Sequence, residues 1–391
     1  MSLCFWFSLT FTVCFLSLLT RSTSLPTIGV TFPAATSNTH SKQPSREQVA
    51  ATVQSLGFRS VRLEASDPAM VRTFLYSNTT LILTIPNQLV PVIAANRSSA
   101  VQWLYLNVVP FFPRAKITTI SVGNDLLESS PRFSTFLLPA MRNINLALRD
   151  LGIRKISVST SFSFLNVIST SFPPSSSMFR SPVLDILIRP LLQFLHETNS
   201  SFLVNIYPYN VYRLQSEIPI GYALFQEHPF NFRDDLTTGV RYRNLFDMMV
   251  DAVISAMAVA GHDNIPVIVA ETGWPSSSSD ASEVEANPAY AEMYIKGLIG
   301  HLRSGLGTPL RKEGVSEIYI YELFDKEEKN VNNQYERTWG ILYPNMTNKY
   351  QIDFSGSAAI FGFGGRESLE MAAGLFLISA LLHGSLVFRL L

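Results

Sequence analysis

Two kinds of apolar pattern alternate along the chain from Leu25 to about Phe354. Short, nearly continuous runs of Val, Ile and Leu are typical of parallel strands that are covered on both faces. They predict eight strands: Thr27–Phe32, Ser60–Leu63, Thr80–Ile85, Ile117–Gly123, Lys155–Thr160, Phe202–Tyr207, Ile265–Ala270 and Glu317–Leu323. Longer segments with apolar residues at helical spacing lie between them: Arg46–Leu56, Ala69–Tyr76, Val90–Val109, Phe133–Leu151, Arg243–Ala260 and Ala289–Arg303.

Eight strands that alternate with helices over one stretch predict an α/β fold, a single-domain (β/α)8 TIM barrel spanning 25–354. The segment between the fifth and sixth strands is ambiguous, because it begins with the loop-like sequence SFPPSSSMF. A doubly wound open sheet is the alternative. That fold usually carries a GxGxxG turn after its first strand, whereas this chain reads IGVTFP at 28–33.

The first 24 residues have the pattern of a signal peptide. Residues 3–19 are apolar and uncharged, and Ser22 and Ser24 are the small residues expected before a cleavage site. We therefore expect cleavage after Ser24. A retained membrane anchor is the alternative, although the run is at the short limit for a spanning helix.

The C-terminal residues 355–391 show three parts in order: small residues at 355–358, a mixed spacer, and an apolar tail. This order is typical of a glycolipid (GPI) attachment signal whose tail is removed. A single transmembrane helix is the alternative reading. The sequence thus predicts a protein that is secreted to the cell surface and held at the plasma membrane by a lipid.

Composition narrows the function classes. Thirty Lys and Arg balance thirty Asp and Glu without a basic stripe, which argues against nucleic-acid binding. Both cysteines lie at 4 and 14, inside the predicted signal peptide, so the mature chain has to be held by its core. The sequons at Asn78, Asn96, Asn199 and Asn345 fit export and imply exposed positions.

The six histidines lack metal-ligand spacing, and the sequence has no HExxH, no P-loop and no G-x-S-x-G. No metal or other cofactor is implied, and a monomer is the default expectation.

Carboxylates follow two of the predicted strands. Asp125 comes after the fourth strand and Glu271 after the seventh, where active residues of a barrel stand. A pair of carboxylates across a cleft is what glycoside hydrolysis requires, one to protonate the leaving oxygen and one to attack the sugar. Acidic residues at strand ends also serve as helix N-caps, which leaves a structural alternative open.

Aromatic residues stand near the same ends. Tyr207 ends the sixth predicted strand, Tyr209 lies two residues further on, and Trp274 follows Glu271 closely. Aromatic faces with polar tips suit the apolar faces and hydroxyl rims of sugar rings. The alternative is that these rings pack on the core.

Several motifs together resemble the plant endo-β-1,3-glucanases of glycoside hydrolase family 17, in a divergent, GPI-anchored form. They are VIVAETGWPS, VNIYPY, SFPPSSSMF, GTPLR at 307–311 and ERTWGILYPN at 336–345, and the likeness covers Thr27 to about Phe354. The resemblance implies a cell-wall β-1,3-glucan as substrate and a retaining mechanism. It places Glu271 at the nucleophile, Asp125 at the acid/base, Asn124 at the sugar 2-hydroxyl, and Lys329 and Glu336 along the cleft.

The chain departs from the family pattern at several positions. Asp125 replaces a Glu, which withdraws the carboxyl by roughly one C–C bond, about 1.5 Å. Glu64 replaces a cleft Tyr, and Lys326 replaces a cleft Glu. Two hypotheses follow: a β-1,3-glucan hydrolase with Asp125 as its proton donor, or a glucan-binding or remodelling protein that has lost most hydrolysis. Glu64 as a substitute acid is a further possibility.

Overall fold

Eight parallel strands close into a barrel in the computed structural model of the chain. The structure describes residues 25–33, 44–226, 228–325 and 336–354. The predicted signal peptide and the predicted lipid-attachment signal lie outside these residues. Within them, no helix is both long enough and apolar enough to cross a membrane.

The strands are numbered here in chain order. They are β1 (Thr27–Phe32), β2 (Ser60–Leu63), β3 (Thr80–Ile85), β4 (Lys116–Asn124), β5 (Ser157–Ser163), β6 (Phe202–Asn205), β7 (Arg233–Asp235), β8 (Val240–Tyr242), β9 (Val267–Thr272), β10 (Ser277–Ser278), β11 (Glu317–Ile320) and β12 (Arg337–Thr338). The barrel runs β1-β2-β3-β4-β5-β6-β9-β11 and closes on β1. Two small antiparallel sheets, β7 with β8 and β10 with β12, lie outside it.

The helices follow the same scheme. They are α1 (Arg46–Ser55), α2 (Pro68–Thr73), α3 (Val90–Ala95), α4 (Arg97–Asn107), α5 (Leu126–Ser129), α6 (Ser134–Asp150), α7 (Phe164–Val167), α8 (Arg189–Thr198), α9 (Pro208–Leu214), α10 (Ile220–Ala223), α11 (Leu245–Val259) and α12 (Pro288–Ser304). The predicted barrel is therefore confirmed, and each of the eight predicted strands corresponds to one of its strands.

Some helix and strand boundaries in the structure differ from the predicted ones. The single helix predicted over Val90–Val109 is two helices, because extended Asn96 ends the first and its side chain caps Ser98 N–H of the second at 2.8 Å. The ambiguous segment after β5 contains α7, a 3-10 helix at Pro174–Ser176 and a π-helix at Leu184–Ile188, which leads into α8. β9 extends to Thr272, so Glu271 lies in the strand rather than after it. The asparagines of all four sequons are exposed, as predicted.

The interior of the barrel is filled by a separate group of buried side chains: Ile82, Leu203, Ile268, Ala270 and Tyr319. Tyr319 lies across this space, and its hydroxyl is 2.5 Å from Ser60 Oγ. Gly29 on β1 leaves the room for it, since a Cβ there would lie 2.7 Å from the Tyr319 ring and 2.9 Å from the Ser60 carbonyl oxygen. The glycine of the IGV sequence is thus required by close packing.

We expect Gly29→Ala to destabilise the fold by about 1–3 kcal/mol, because overpacking forces either the Tyr319 ring or the β2 backbone to move. Urea unfolding followed by circular dichroism measures this. The matched control is Gly300→Ala on α12, where an added Cβ meets nothing within 4 Å. That change should be neutral or stabilising by up to about 1 kcal/mol. Equal stability of the two variants would contradict the packing argument.

Candidate active site

Glu271 is the centre of a hydrogen-bond network at the carboxyl end of the barrel. It lies one residue before the end of β9 and is buried. Arg62 Nη1 and Asn124 Nδ2 donate to its Oε1 at 2.6 and 2.9 Å, and the Tyr207 hydroxyl donates to Oε2 at 2.6 Å. Three donors from three different strands or strand ends therefore hold the carboxyl in one orientation.

Arg62 supplies the positive charge of the site. It lies in β2 between Val61 and Leu63, and its side chain is 0% exposed. Burial works against its charge, but the carboxylates of Glu271 and Glu64 outweigh burial and raise the pKa of Arg62 above its ordinary value. Sequence reasoning missed this residue. The signal was present, because a charged side chain inside a continuous apolar strand requires a buried partner.

Asn124 is held from two sides, so that its amide can reach Glu271. Its Oδ1 accepts from Ser161 Oγ at 2.6 Å and from Asn205 Nδ2 at 3.2 Å, which fixes which end of the amide faces Glu271. The neighbouring strands β4, β5 and β6 carry these three residues. Asn205 was not among the predicted site residues.

Asp125 stands directly after β4 with φ 45° and ψ 43°, in the left-handed region that Asp tolerates better than most residues. Asn205 Nδ2 donates to its Oδ2 at 3.2 Å, and its Oδ1 is buried. Burial, and then the charge of Glu271, raise the pKa of Asp125 to about 7 against the opposing effect of the Asn205 hydrogen bond. The two carboxyl groups therefore occupy different environments: Asp125 has a raised pKa, and Glu271 is paired with Arg62.

Three partly exposed aromatic rings form a wall beside the carboxyl groups. The Tyr207 ring lies 5.0 Å from Trp339 and 6.0 Å from Tyr321 between centroids, in edge-to-face arrangements. Burial and the neighbouring Glu271 raise the pKa of Tyr207 well above its ordinary value, so its hydroxyl remains a donor. Tyr207 was predicted for the site, whereas Tyr321 and Trp339 were not.

Trp274 does not take the part in sugar stacking that the sequence predicted. Its ring is 1% exposed, packs between Tyr209 and Tyr294, and donates from Nε1 to the Glu285 carbonyl oxygen at 2.8 Å. A buried ring with a satisfied N–H has no free face for a ligand. Tyr209 is also fully buried, so the packing alternative holds for both residues.

An ion pair fixes the segment that carries Trp339. Arg337 Nε and Nη2 donate to the two oxygens of Glu283 at 2.7 and 2.5 Å, and the Tyr209 hydroxyl donates to the same carboxylate at 3.0 Å. The hydrogen bonds from Arg337 lower the pKa of Glu283 to about 2. Buried Tyr209 packs edge-to-face against Trp339, with 6.1 Å between the ring centroids, so it supports the aromatic wall from the core side.

The other predicted cleft residues have different outcomes. Beside β10, the Ser279 N–H donates to the Glu336 carbonyl oxygen at 2.8 Å and the Glu336 N–H donates to Ser279 Oγ at 2.7 Å. Glu336 is not among the described residues that hydrogen-bond Glu271. Glu64 follows β2 close enough to Arg62 for its charge to act on it. Lys329 and Lys326 lie outside the described residues. No group of three acidic, His or Cys side chains that could hold a metal ion occurs in the described ranges.

The fold and the site together define a class. A (β/α)8 barrel that carries two carboxyl groups with distinct environments at the carboxyl ends of its strands, beside an aromatic wall, has the arrangement of a glycoside hydrolase.

Comparison with known proteins narrows the class. Residues 28–354 match the family model of the glycosyl hydrolases family 17, and the chain belongs to this family. Glucan endo-1,3-beta-glucosidase 12 of Arabidopsis thaliana is 36% identical over 315 residues, which are 80% of this chain and 58% of that protein. A glucan endo-1,3-beta-glucosidase of Nicotiana tabacum is 35% identical over 315 residues, 80% of this chain and 85% of that protein. The chain thus spans less than two thirds of some relatives and most of others.

Solved structures agree with this assignment. A β-1,3-glucanase and allergen of Cryptomeria japonica pollen superimposes with a TM-score of 0.76 at 34% identity, covering 84% of this chain and 99% of that chain. A plant β-glucan endohydrolase superimposes with a TM-score of 0.73 at 31% identity, covering 83% and 99%.

Breaking the buried ion pair should cost more than removing both charges. We expect Arg62→Met to lower the free energy of unfolding by about 3–5 kcal/mol, because Glu271 then keeps a buried charge without its cation. The double variant Arg62→Met with Glu271→Gln should recover part of this loss. Urea unfolding at neutral pH measures both. A double variant as unstable as Arg62→Met alone would show that lost packing, not charge, dominates.

Proposed function

We propose that this protein hydrolyses β-1,3-glucan, of the callose type, with Glu271 as the nucleophile and Asp125 as the proton donor. The observation that carries the proposal is the pair of carboxyl groups at the ends of β4 and β9: the pKa of Asp125 is raised to about 7, and Glu271 is ion-paired with Arg62. The names of the relatives point to the same substrate, since both are glucan endo-1,3-beta-glucosidases.

The proposed reaction runs in two displacements with net retention of anomeric configuration. Glu271 forms a bond to the anomeric carbon while the glycosidic C–O bond breaks, and Asp125 gives its proton to the departing oxygen. Water then attacks the same carbon, gives a proton back to Asp125, and releases Glu271. Arg62 and Tyr207 hold the nucleophile through both steps, and Asn124 lies within 2.9 Å of Glu271, where a 2-hydroxyl would approach.

The proposed setting is the outer face of the plasma membrane, toward the cell wall, with the protein secreted as a monomer and held by a GPI anchor. The apolar sequences at 3–19 and at the C-terminus support this setting. The exposed asparagines of the four sequons are compatible with it.

A second candidate function is glucan binding with little hydrolysis. It is favoured by Asp125, whose short carboxyl is drawn toward Asn205, beside an aromatic wall that is fully formed. A misplacement of about 1 Å can cost roughly 100-fold in rate without weakening ground-state binding.

Incubation of the protein with a soluble β-1,3-glucan at mildly acidic pH separates the two functions. We expect oligosaccharides whose new reducing ends are initially β by NMR, and Glu271→Gln should abolish them because it removes the nucleophile. The control is Glu313→Gln, an exposed carboxyl between α12 and β11, which should keep full activity. Binding of oligosaccharides without any product would establish the binding protein instead.

The pH dependence tests the role of Asp125. As a proton donor it must be protonated, so kcat/KM should fall tenfold for each pH unit above its pKa of about 7. Asn205→Ala removes a hydrogen bond that lowers this pKa, so the alkaline limb should move to higher pH. A limb that stays in place in the variant would exclude Asp125 as the titrating acid.

A further inference from the structure

A cavity of about 910 Å³ lies outside the barrel, away from the catalytic carboxyl groups. Its walls come from the N-terminal turn of α11, the C-terminal half of α12, and the Gly307–Pro309 loop that leads into β11. That loop enters β11 at its N-terminal end, whereas Asp125 and Glu271 stand at the carboxyl ends of β4 and β9. Cavities of this size are typical of sites for small organic ligands.

Two arginines reach the cavity from one edge. Arg241 and Arg243 flank buried Tyr242 at the end of β8, so strand alternation directs both toward the cavity that they line. Arg241 is bidentate to Asp234 at 2.7 and 2.8 Å. Arg243 is exposed, and no described residue forms an ion pair or hydrogen bond with it. Arg241 is therefore paired directly with Asp234, whereas the charge of Arg243 acts on that carboxylate only at longer range, which leaves its N–H groups for a ligand.

A buried polar chain forms the opposite wall. His301 Nε2 lies 2.8 Å from Asp247 Oδ1, and Asn244 Nδ2 donates to Asp247 Oδ2 at 2.8 Å. Burial lowers the pKa of His301, but the hydrogen bond with Asp247 outweighs burial and raises it above the ordinary value. His228 adds a second imidazole to the lining. Among the described lining residues, Arg241 and His301 thus each have a carboxylate partner, whereas Arg243 has none within ion-pair distance.

Phe225 contributes an aromatic face under backbone strain. It has φ 58°, an unfavourable value for a bulky side chain, and its ring lies 5.7 Å from His301. Gly297 permits this position, since a Cβ there would lie 2.6 Å from the Phe225 Cβ. Aromatic and imidazole rings beside hydroxyl and amide groups, here Ser304 and Asn231, suit the face and rim of a sugar.

The charge pattern favours a carboxylate over a phosphate. Asn244 Oδ1 already accepts the Asp247 N–H at the N-terminus of α11, and the Asp247 carboxylate stands in that first turn. A dianionic phosphate would be repelled by the Asp247 carboxylate, and the Asp247 N–H at this helix N-terminus already has a hydrogen-bond acceptor. A monoanionic carboxylate on a sugar ring needs only the planar guanidinium of Arg243 and neighbouring hydrogen-bonding groups.

We propose that this cavity is a second binding site, for a carboxylate-bearing oligosaccharide such as an oligouronide, independent of the catalytic cleft. Arg243 binds the carboxylate, and the ring of Phe225 packs on the sugar face. Such a site holds the barrel to an acidic polysaccharide while the catalytic cleft is free for its own substrate.

Isothermal titration calorimetry of the full chain with tetragalacturonate tests this site. We expect saturable binding that Arg243→Gln weakens at least tenfold, without changing hydrolysis of β-1,3-glucan. The matched control is Arg142→Gln, which alters an exposed arginine on α6, a helix between β4 and β5 on another side of the barrel. It should leave the affinity unchanged.

Three results would overturn the proposal. Equal weakening by the two variants would mean unspecific attraction to charge. Equal binding of the methyl-esterified tetramer, which has the same rings without charge, would remove the carboxylate from recognition. Displacement of tetragalacturonate by inorganic phosphate at equal concentration would make the cavity a site for phosphate rather than for an acidic sugar.

Discussion

The mouth of the barrel is organised around the buried charge of Glu271. A carboxylate in this position has little access to water, and its burial is tolerated only with a cation and hydrogen-bond donors at short distance. Arg62 provides the cation, and Asn124 and Tyr207 provide the remaining donors. Ser161 and Asn205 in turn orient Asn124. Polar residues on successive strands β4, β5, β6 and β9 are thus explained by one requirement rather than by separate roles.

At Asp125, the backbone conformation and the length of the side chain together determine the environment of the carboxyl group. Its left-handed conformation turns the chain sharply at the end of β4, and the short side chain then meets the amide of Asn205. A longer carboxylic side chain at the same backbone position would extend past that amide. Asp125, where the family resemblance implies a Glu, therefore differs from the expected residue in the surroundings of its carboxyl group as well as in its reach.

Much of the architecture was predictable because continuous apolar strands separated by helical patterns have few alternatives. The two carboxyl positions were predictable because strand ends converge on one mouth. Arg62 was not predicted as a site residue, because the strand that carries it was predicted from its apolar residues alone. Trp274 was misinterpreted because proximity in sequence does not fix direction. Gly273 packs closely on the Tyr321 backbone, since a Cβ there would lie 2.6 Å from the Tyr321 carbonyl oxygen, and the next residue, Trp274, is buried in the core. Trp339 depends on a distant segment that the Arg337–Glu283 pair holds in place.

Tyr207 is part of both the hydrogen-bond network around Glu271 and the aromatic wall. Its hydroxyl is bonded to Glu271, and its ring is in contact with Trp339 and Tyr321 in the aromatic wall. A ligand that displaces the rings of the wall therefore also disturbs the hydrogen bond from Tyr207 to Glu271. Divergence in this barrel cannot easily alter the shape of the wall while leaving the carboxylate undisturbed, so changes of specificity are expected to arise first at positions that touch neither, such as the loops farther out along the cleft.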